Sequence, residues 1–184
     1  MVWDTLPILS HRKIFSDPDY AAEEIYNQQP PENSLYNWNR MEYRALEGFV
    51  AAISPFNFLA IGSNLPCSPA QMGNVALWKP AETTMLGSHL IYKILKEAGL
   101  PPGVIQFLPG EAKVVGSKML DSPDLAALHF TGSTATFQTL WKTVANNLTK
   151  YKCYPRLVGE TGGKNFHFIH HSAEDQIESI VNNT

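Results

Sequence analysis

Cysteine is nearly absent from this chain, with only Cys67 and Cys153 in 184 residues. They form no C-x-x-C pair, which excludes a disulfide framework and a thiolate zinc centre and suits a reducing compartment. Basic charge is scarce as well. Fourteen Lys and Arg against 17 Asp and Glu leave a net charge of −3, which argues against nucleic acid or an anionic membrane as the main partner. A small molecule is the expected ligand. No apolar run approaches the roughly 20 residues of a membrane span. The opening MVWDTLPILSHRK is too short and polar for a signal peptide and lacks the Arg/Ser bias of a transit peptide. Internal repeats and low-complexity segments are missing. The sequon Asn147-Leu148-Thr149 falls in a predicted helix of a reduced protein and reads as fortuitous.

What is present is a hydrophobic content of 44% with charge at only 17%, as expected when strands are covered on both faces. Residues 1–46 read as an irregular N-terminal segment, with short helices expected over 3–15 and 19–26 and a turn-rich connector, QQPPENSLYNWN, over 28–39. From 47 to 184 the rhythm changes to a single domain. Short apolar runs predict strands at 48–53, 75–78, 104–108 and 125–130, with further strands near 156–158 and 165–169. Leu86, Leu90, Ile91, Ile94, Leu95 and Ala98 recur at helical spacing, so 83–98 is a helix stopped by Gly99 and Pro101-Pro102. Helices are also expected over 111–120, 134–148 and 173–181. Strands alternating with helices imply an α/β fold, a Rossmann-like, doubly wound parallel sheet with helices on both faces. Ligands of such sheets bind at the carboxyl ends of the strands.

Polar clusters fall at those ends. SPFNF places Asn57 between aromatics on a turn, where an amide in a dry pocket can donate to a developing oxyanion. The same amide could equally satisfy turn backbone. Lys79 and Glu82 in WKPAE could hold ribose hydroxyls, or be a solvated lysine and a helix-terminal acid. FTGST sets Gly132, Ser133 and Thr134 between a strand and a helix start, a seat for phosphate or an ordinary helix cap. The Gly-x-Gly-x-x-Gly fingerprint is absent. Glu160 lies between Gly159 and Gly162-Gly163 at the mouth of the sheet, and a partly buried carboxylate there can work as a general base. His167, His170 and His171 do not converge on a metal, so none is expected. Both cysteines read as apolar thiols.

SPFNF, WKPAE, EAGLPPGVIQFLPG, FTGST and GETGGKN, in this order and spacing, resemble the aldehyde dehydrogenase superfamily. EYRALEGFVAAISPFNF, LPCSPAQMGNVALWKP and YPRLVGETGGKNFHFIHHSA are similar to its delta-1-pyrroline-5-carboxylate dehydrogenase branch, and the likeness runs from residue 22 to 184. The resemblance implies the NAD-binding domain of an enzyme that oxidises L-glutamate 5-semialdehyde to L-glutamate in proline catabolism. It also implies a mitochondrial matrix location and a homo-oligomer for the full-length family member. Carried over by position, Glu160 is the general base and Asn57 stabilises the oxyanion. Ser54 and Lys79 contact the cofactor, Glu82 reaches the adenosine ribose, and Gly132, Ser133, Thr134, Ala135 and Thr136 lie against the pyrophosphate.

Two departures follow from the same resemblance. The family's nucleophilic cysteine lies downstream of the glutamate motif; Cys153 precedes Glu160 and does not match it. The expectation is a catalytically incomplete enzyme piece, the alternative a non-catalytic nucleotide-binding or subunit-interaction module. Between SDPDY and AEEIYNQQP the chain skips a helical stretch of the family. At roughly 25 cal/mol per Å², a few hundred Å² of uncovered apolar surface would cost several kcal/mol, and marginal stability is expected.

Overall fold

The computed structural model describes residues 27–30, 35–163 and 166–182; the helices expected over 3–15 and 19–26 lie outside them. The turn-rich connector is irregular where it is described. Five strands form one parallel sheet in the order β3-β2-β1-β4-β5. They are β1 (Phe49–Ile53), β2 (Val75–Lys79), β3 (Ile105–Phe107), β4 (Leu125–Gly132) and β5 (Arg156–Thr161). Between them run α1 (Leu59–Gln71), α2 (Met85–Glu97), α3 (Ala112–Asp121) and α4 (Thr134–Asn146), and α5 (Ile177–Asn182) follows β5. The first two crossovers build outward from β1 on one side, and the third carries the chain back across to β4. The β1/β4 boundary is therefore the switch point where such sheets open a crevice.

Strand alternation divides the apolar residues between two cores. Ala76 and Trp78 of β2 join Ile105, Cys67 of α1 and Leu95 of α2 on one face. Ala51, Leu128 and Phe130 join Met119 and Leu120 of α3 and Val144 of α4 on the other. Trp78 is fully buried. Its ring meets Phe107 edge-on at 5.4 Å, and its indole N–H donates to Ser54 Oγ at 2.9 Å. Asn147 explains the sequon: its amide is buried and donates to Asp121 Oδ1 at 3.0 Å and to the Leu120 carbonyl, so it is a structural clamp between α4 and α3.

Four expectations are corrected. α1 was not foreseen, because Pro66 and Pro69 lie inside it; both are tolerated because the helix is packed against the sheet, with Pro66 fully buried. β5 extends to Thr161, with Glu160 opposite Thr131, so Glu160 stands within a strand and not beyond its end. No strand forms over the described residues 166–169. The helix expected over 173–181 is a 3-10 turn, His171–Gln176, leading into α5. Much apolar surface remains open. Leu86, Leu90 and Ile94, four residues apart on α2, are 74%, 51% and 49% exposed, a stripe that no described element covers. No helix among the described residues is long and apolar enough to cross a membrane.

Candidate active site

The residues expected to bind the cofactor or to catalyse lie at the carboxyl edge of the sheet, on the ends of four adjacent strands or the turns just past them. Lys79 closes β2, Ser54 and Asn57 follow β1, 132–136 join β4 to α4, and Glu160 is in β5. The parallel topology does this, since every strand points the same way and the order sets β2, β1, β4 and β5 side by side.

Lys79 is 4% exposed. Burial pushes its ammonium below the ordinary 10.5, and the Glu82 carboxylate partly opposes that. Among the described residues it makes no ion pair within 4.0 Å. Such a desolvated cation suits an acceptor-rich ligand. Glu82 opens the 3-10 turn after β2, and its Oε1 accepts from the Ala112 N–H at 3.3 Å. It thus caps α3 from a neighbouring loop and has a second oxygen to offer. Beside Glu82 opens a cleft of about 660 Å³, lined by Leu86, His89, Tyr92, Phe107 and Pro109 among others. Tyr92 stacks on Phe107 at 5.6 Å and His89 meets it at 5.5 Å. This aromatic lining was missed in the sequence. Its signal was there: His89 and Tyr92 are three apart on the helix face above the Phe107 strand.

The turn from β4 into α4 forms the helix cap considered for FTGST. Ser133 is a working helix cap: its Oγ accepts the Thr136 N–H at 3.1 Å and pairs with Thr136 Oγ1 at 2.7 Å, while Phe137 N–H reaches the Ser133 carbonyl. The amides of Thr134 and Ala135 have no partner within the helix. Both residues are exposed at its positive end, and they remain available to an anion. Ser54 differs from expectation: it is buried, and its hydroxyl is committed to the Trp78 indole, not displayed at the edge.

Glu160 and Asn57 are both exposed. The partly buried setting expected for the carboxylate and the dry aromatic pocket expected for the amide are not formed by the described residues. Phe56 and Phe58 are themselves 71% and 56% exposed. The backbone around Glu160 is nevertheless closely specified. A Cβ at Gly159 would lie 2.3 Å from the Phe137 ring, so α4 packs directly onto the glycine that precedes the carboxylate. Gly162 then has φ +112°, which a side chain would disfavour. Gly159→Ala should cost about 1–3 kcal/mol through displacement of Phe137, which also stacks on Phe130 at 5.7 Å. Urea melts of the two chains measure it; equal midpoints would mean that the ring moves freely.

Burial pushes the Cys67 thiol up to about 12, so it stays protonated and inert. Cys153 is half-buried, its Sγ 3.9 Å from the Glu47 carbonyl. His129 was overlooked in the sequence; its Nδ1 lies 3.0 Å from the Leu65 carbonyl, and Glu160 is near enough to act on its charge.

The sequence profile of the aldehyde dehydrogenase family matches residues 12–184. A delta-1-pyrroline-5-carboxylate dehydrogenase of Agaricus bisporus is 62% identical over 153 residues, covering 83% of this chain and 28% of that protein. The mitochondrial enzyme of that name from Dictyostelium discoideum is 57% identical over 165 residues, covering 89% and 29%. The delta-pyrroline-5-carboxylate dehydrogenase of Mycobacterium tuberculosis, crystallised with NAD, superposes with a TM-score of 0.75 at 52% identity, covering 80% of this chain and 27% of that one. The chain thus spans under a third of the length of these relatives. With its parallel Rossmann-like sheet and its profile match over almost the whole length, the chain belongs to the aldehyde dehydrogenase family.

Proposed function

We propose that this chain is the NAD-holding part, with the general base, of an enzyme that oxidises L-glutamate 5-semialdehyde to L-glutamate in proline catabolism, working in the mitochondrial matrix. The observation that carries the reading is the convergence of Lys79, Glu82, the 132–136 turn and Glu160 on one sheet edge, in a chain more than half identical to dehydrogenases of that name. NAD is the partner because the donor set fits it. The Thr134 and Ala135 amides at the α4 terminus suit a pyrophosphate. The Lys79 ammonium and the second Glu82 oxygen suit a ribose diol, and a carboxylate there disfavours a 2′-phosphate.

NAD, when bound, supplies the hydride acceptor. The chain's residues do the rest of what this edge can do. Lys79 and Glu82 orient the adenosine end, and the α4 terminus neutralises the phosphates without bringing a mobile counterion. Asn57, on the turn behind Pro55, offers an N–H to the substrate oxygen as negative charge builds there. Glu160 takes a proton from the water that hydrolyses the acyl-enzyme. The acyl group is carried by a cysteine other than Cys67 and Cys153, which play no part. The mitochondrial part of this assignment has support in relatives whose names include "mitochondrial".

Calorimetric titration of NAD into the 184-residue chain tests the binding half. Saturable heat is expected, weakened about tenfold or more in Lys79→Ala, the size of a hydrogen bond to a charged group. Absence of heat from a chain with ordered near-UV circular dichroism would remove the NAD assignment.

A further inference from the structure

Pro69 has no N–H, so inside α1 it deprives the Leu65 carbonyl of its helical partner four residues on. His129 of β4 replaces it, with Nδ1 at 3.0 Å from that oxygen. A carbonyl can only accept, so Nδ1 carries the hydrogen, and in the neutral ring Nε2 is left with its lone pair. Pro69 thereby selects one tautomer of a histidine on another element.

The sheet then sets that ring beside Glu160. Leu128 and Phe130 face the core that contains Val144, and Leu157 packs against the same core. By alternation His129 and Val158, which are paired across the strands, share the α1 face, and so does Glu160, opposite Thr131. Few other charges compete there. α1 brings only Cys67, and β1 has no ionisable residue. On β5 the remaining charge of that face is Arg156, whose guanidinium lies 4.6 Å from the Tyr154 ring. Burial holds His129 below its ordinary 6.5, outweighing the Leu65 bond and the charge of Glu160, both of which raise it. The ring is therefore neutral near neutral pH and able to accept a proton.

We propose that His129 is a positioning residue and proton acceptor for Glu160, receiving the proton that the carboxylate removes from the hydrolytic water. The inference rests on Glu160 being the general base, as proposed above. In the first transfer a water O–H breaks and its hydroxide joins the thioester carbon, whose C–S bond then breaks to release the thiolate and the acid product, while Glu160 becomes a carboxylic acid. In the second the Glu160 O–H breaks, the proton passes through solvent to the neighbouring strand, and Nε2–H forms, restoring the carboxylate near an imidazolium. The imidazolium then gives its proton to solvent, a step its depressed basicity favours.

The first test is imidazole NMR on the 184-residue chain. The spectrum should show the Nδ1–H tautomer. The His129 midpoint should fall in Glu160→Gln, because a negative charge that raises it is removed. An unmoved midpoint overturns the pairing. The second uses the complete dehydrogenase that carries this segment. His129→Asn keeps a donor where Nδ1 stands and removes the titrating nitrogen. It should slow acyl hydrolysis about fivefold, well below the ~10²–10⁴ carried by the base itself, shift the acid limb of the pH profile, and be restored by added imidazole. Wild-type rates and pH profile in His129→Asn, with Glu160→Gln crippled, would sink this inference and leave the general base intact. Undiminished hydrolysis in Glu160→Gln would sink both.

Discussion

Trp78→Ala is expected to lower the stability of this chain by about 3–5 kcal/mol, the range for deleting a buried large aromatic. That is much of the 5–15 kcal/mol that holds a typical domain together. Trp78 is fully buried on the central strand pair β1/β2, and its ring closes against Phe107. The loss would reach beyond packing. The indole N–H is the donor to Ser54 Oγ, so the substitution also strips a buried hydroxyl of its partner where β1 turns toward Asn57. Trp78→Phe separates the two effects. It keeps most of the ring volume but not the donor, and should cost about 1–3 kcal/mol, the penalty of an unsatisfied buried polar group. Urea or thermal melts followed by circular dichroism give both values. A change below about 1 kcal/mol for Trp78→Ala would mean that the core on the α1 face does not carry the sheet.

The second large effect concerns chemistry. In the complete dehydrogenase, Glu160→Gln should slow hydrolysis of the acyl-enzyme by about 10²–10⁴, the usual contribution of a general base, while hydride transfer stays close to wild type. The amide is the same size and leaves β5 and its pairing with Thr131 undisturbed, but it cannot accept the proton. Rapid-quench experiments should then show a full burst of NADH, a slow steady state and accumulated acyl-enzyme. A single slow phase without acyl-enzyme would place Glu160 before hydride transfer, and an unchanged steady state would remove it from the reaction.

The split between what could and could not be read from the residues has physical causes. Runs such as FVAAI and LAALHF, bounded by turn residues, predict strands because an apolar run of that length is buried on both faces. β1, β2 and β4 begin and end within one or two residues of the expected bounds, as do α3 and α4. The α1 region failed because its signal is negative: two prolines argue for a break, and only burial against β1 and β2 outweighs them. β5 was read too short because Gly159 looks like a terminator. In the fold it is the place where Phe137 packs, and β4 extends the pairing to Thr161.

The site was legible as motifs and not as geometry. Lys79, Glu82, the FTGST turn and Glu160 were each visible as polar residues at expected strand ends. The alternation of strands and helices was enough to put them on one edge, because parallel strands must end on the same side. Local chemistry determined that much: apolar periodicity, glycine and proline punctuation, and the capping serine. Only the tertiary structure decided that the Ser54 hydroxyl turns inward to Trp78, that Glu82 caps α3, that the Phe107 cleft opens beside it, and that His129 answers the carbonyl freed by Pro69. Each joins residues 24 or more positions apart, or lies where separate elements meet. Such contacts depend on which strand neighbours which and on which face each side chain points to, and no local pattern encodes either.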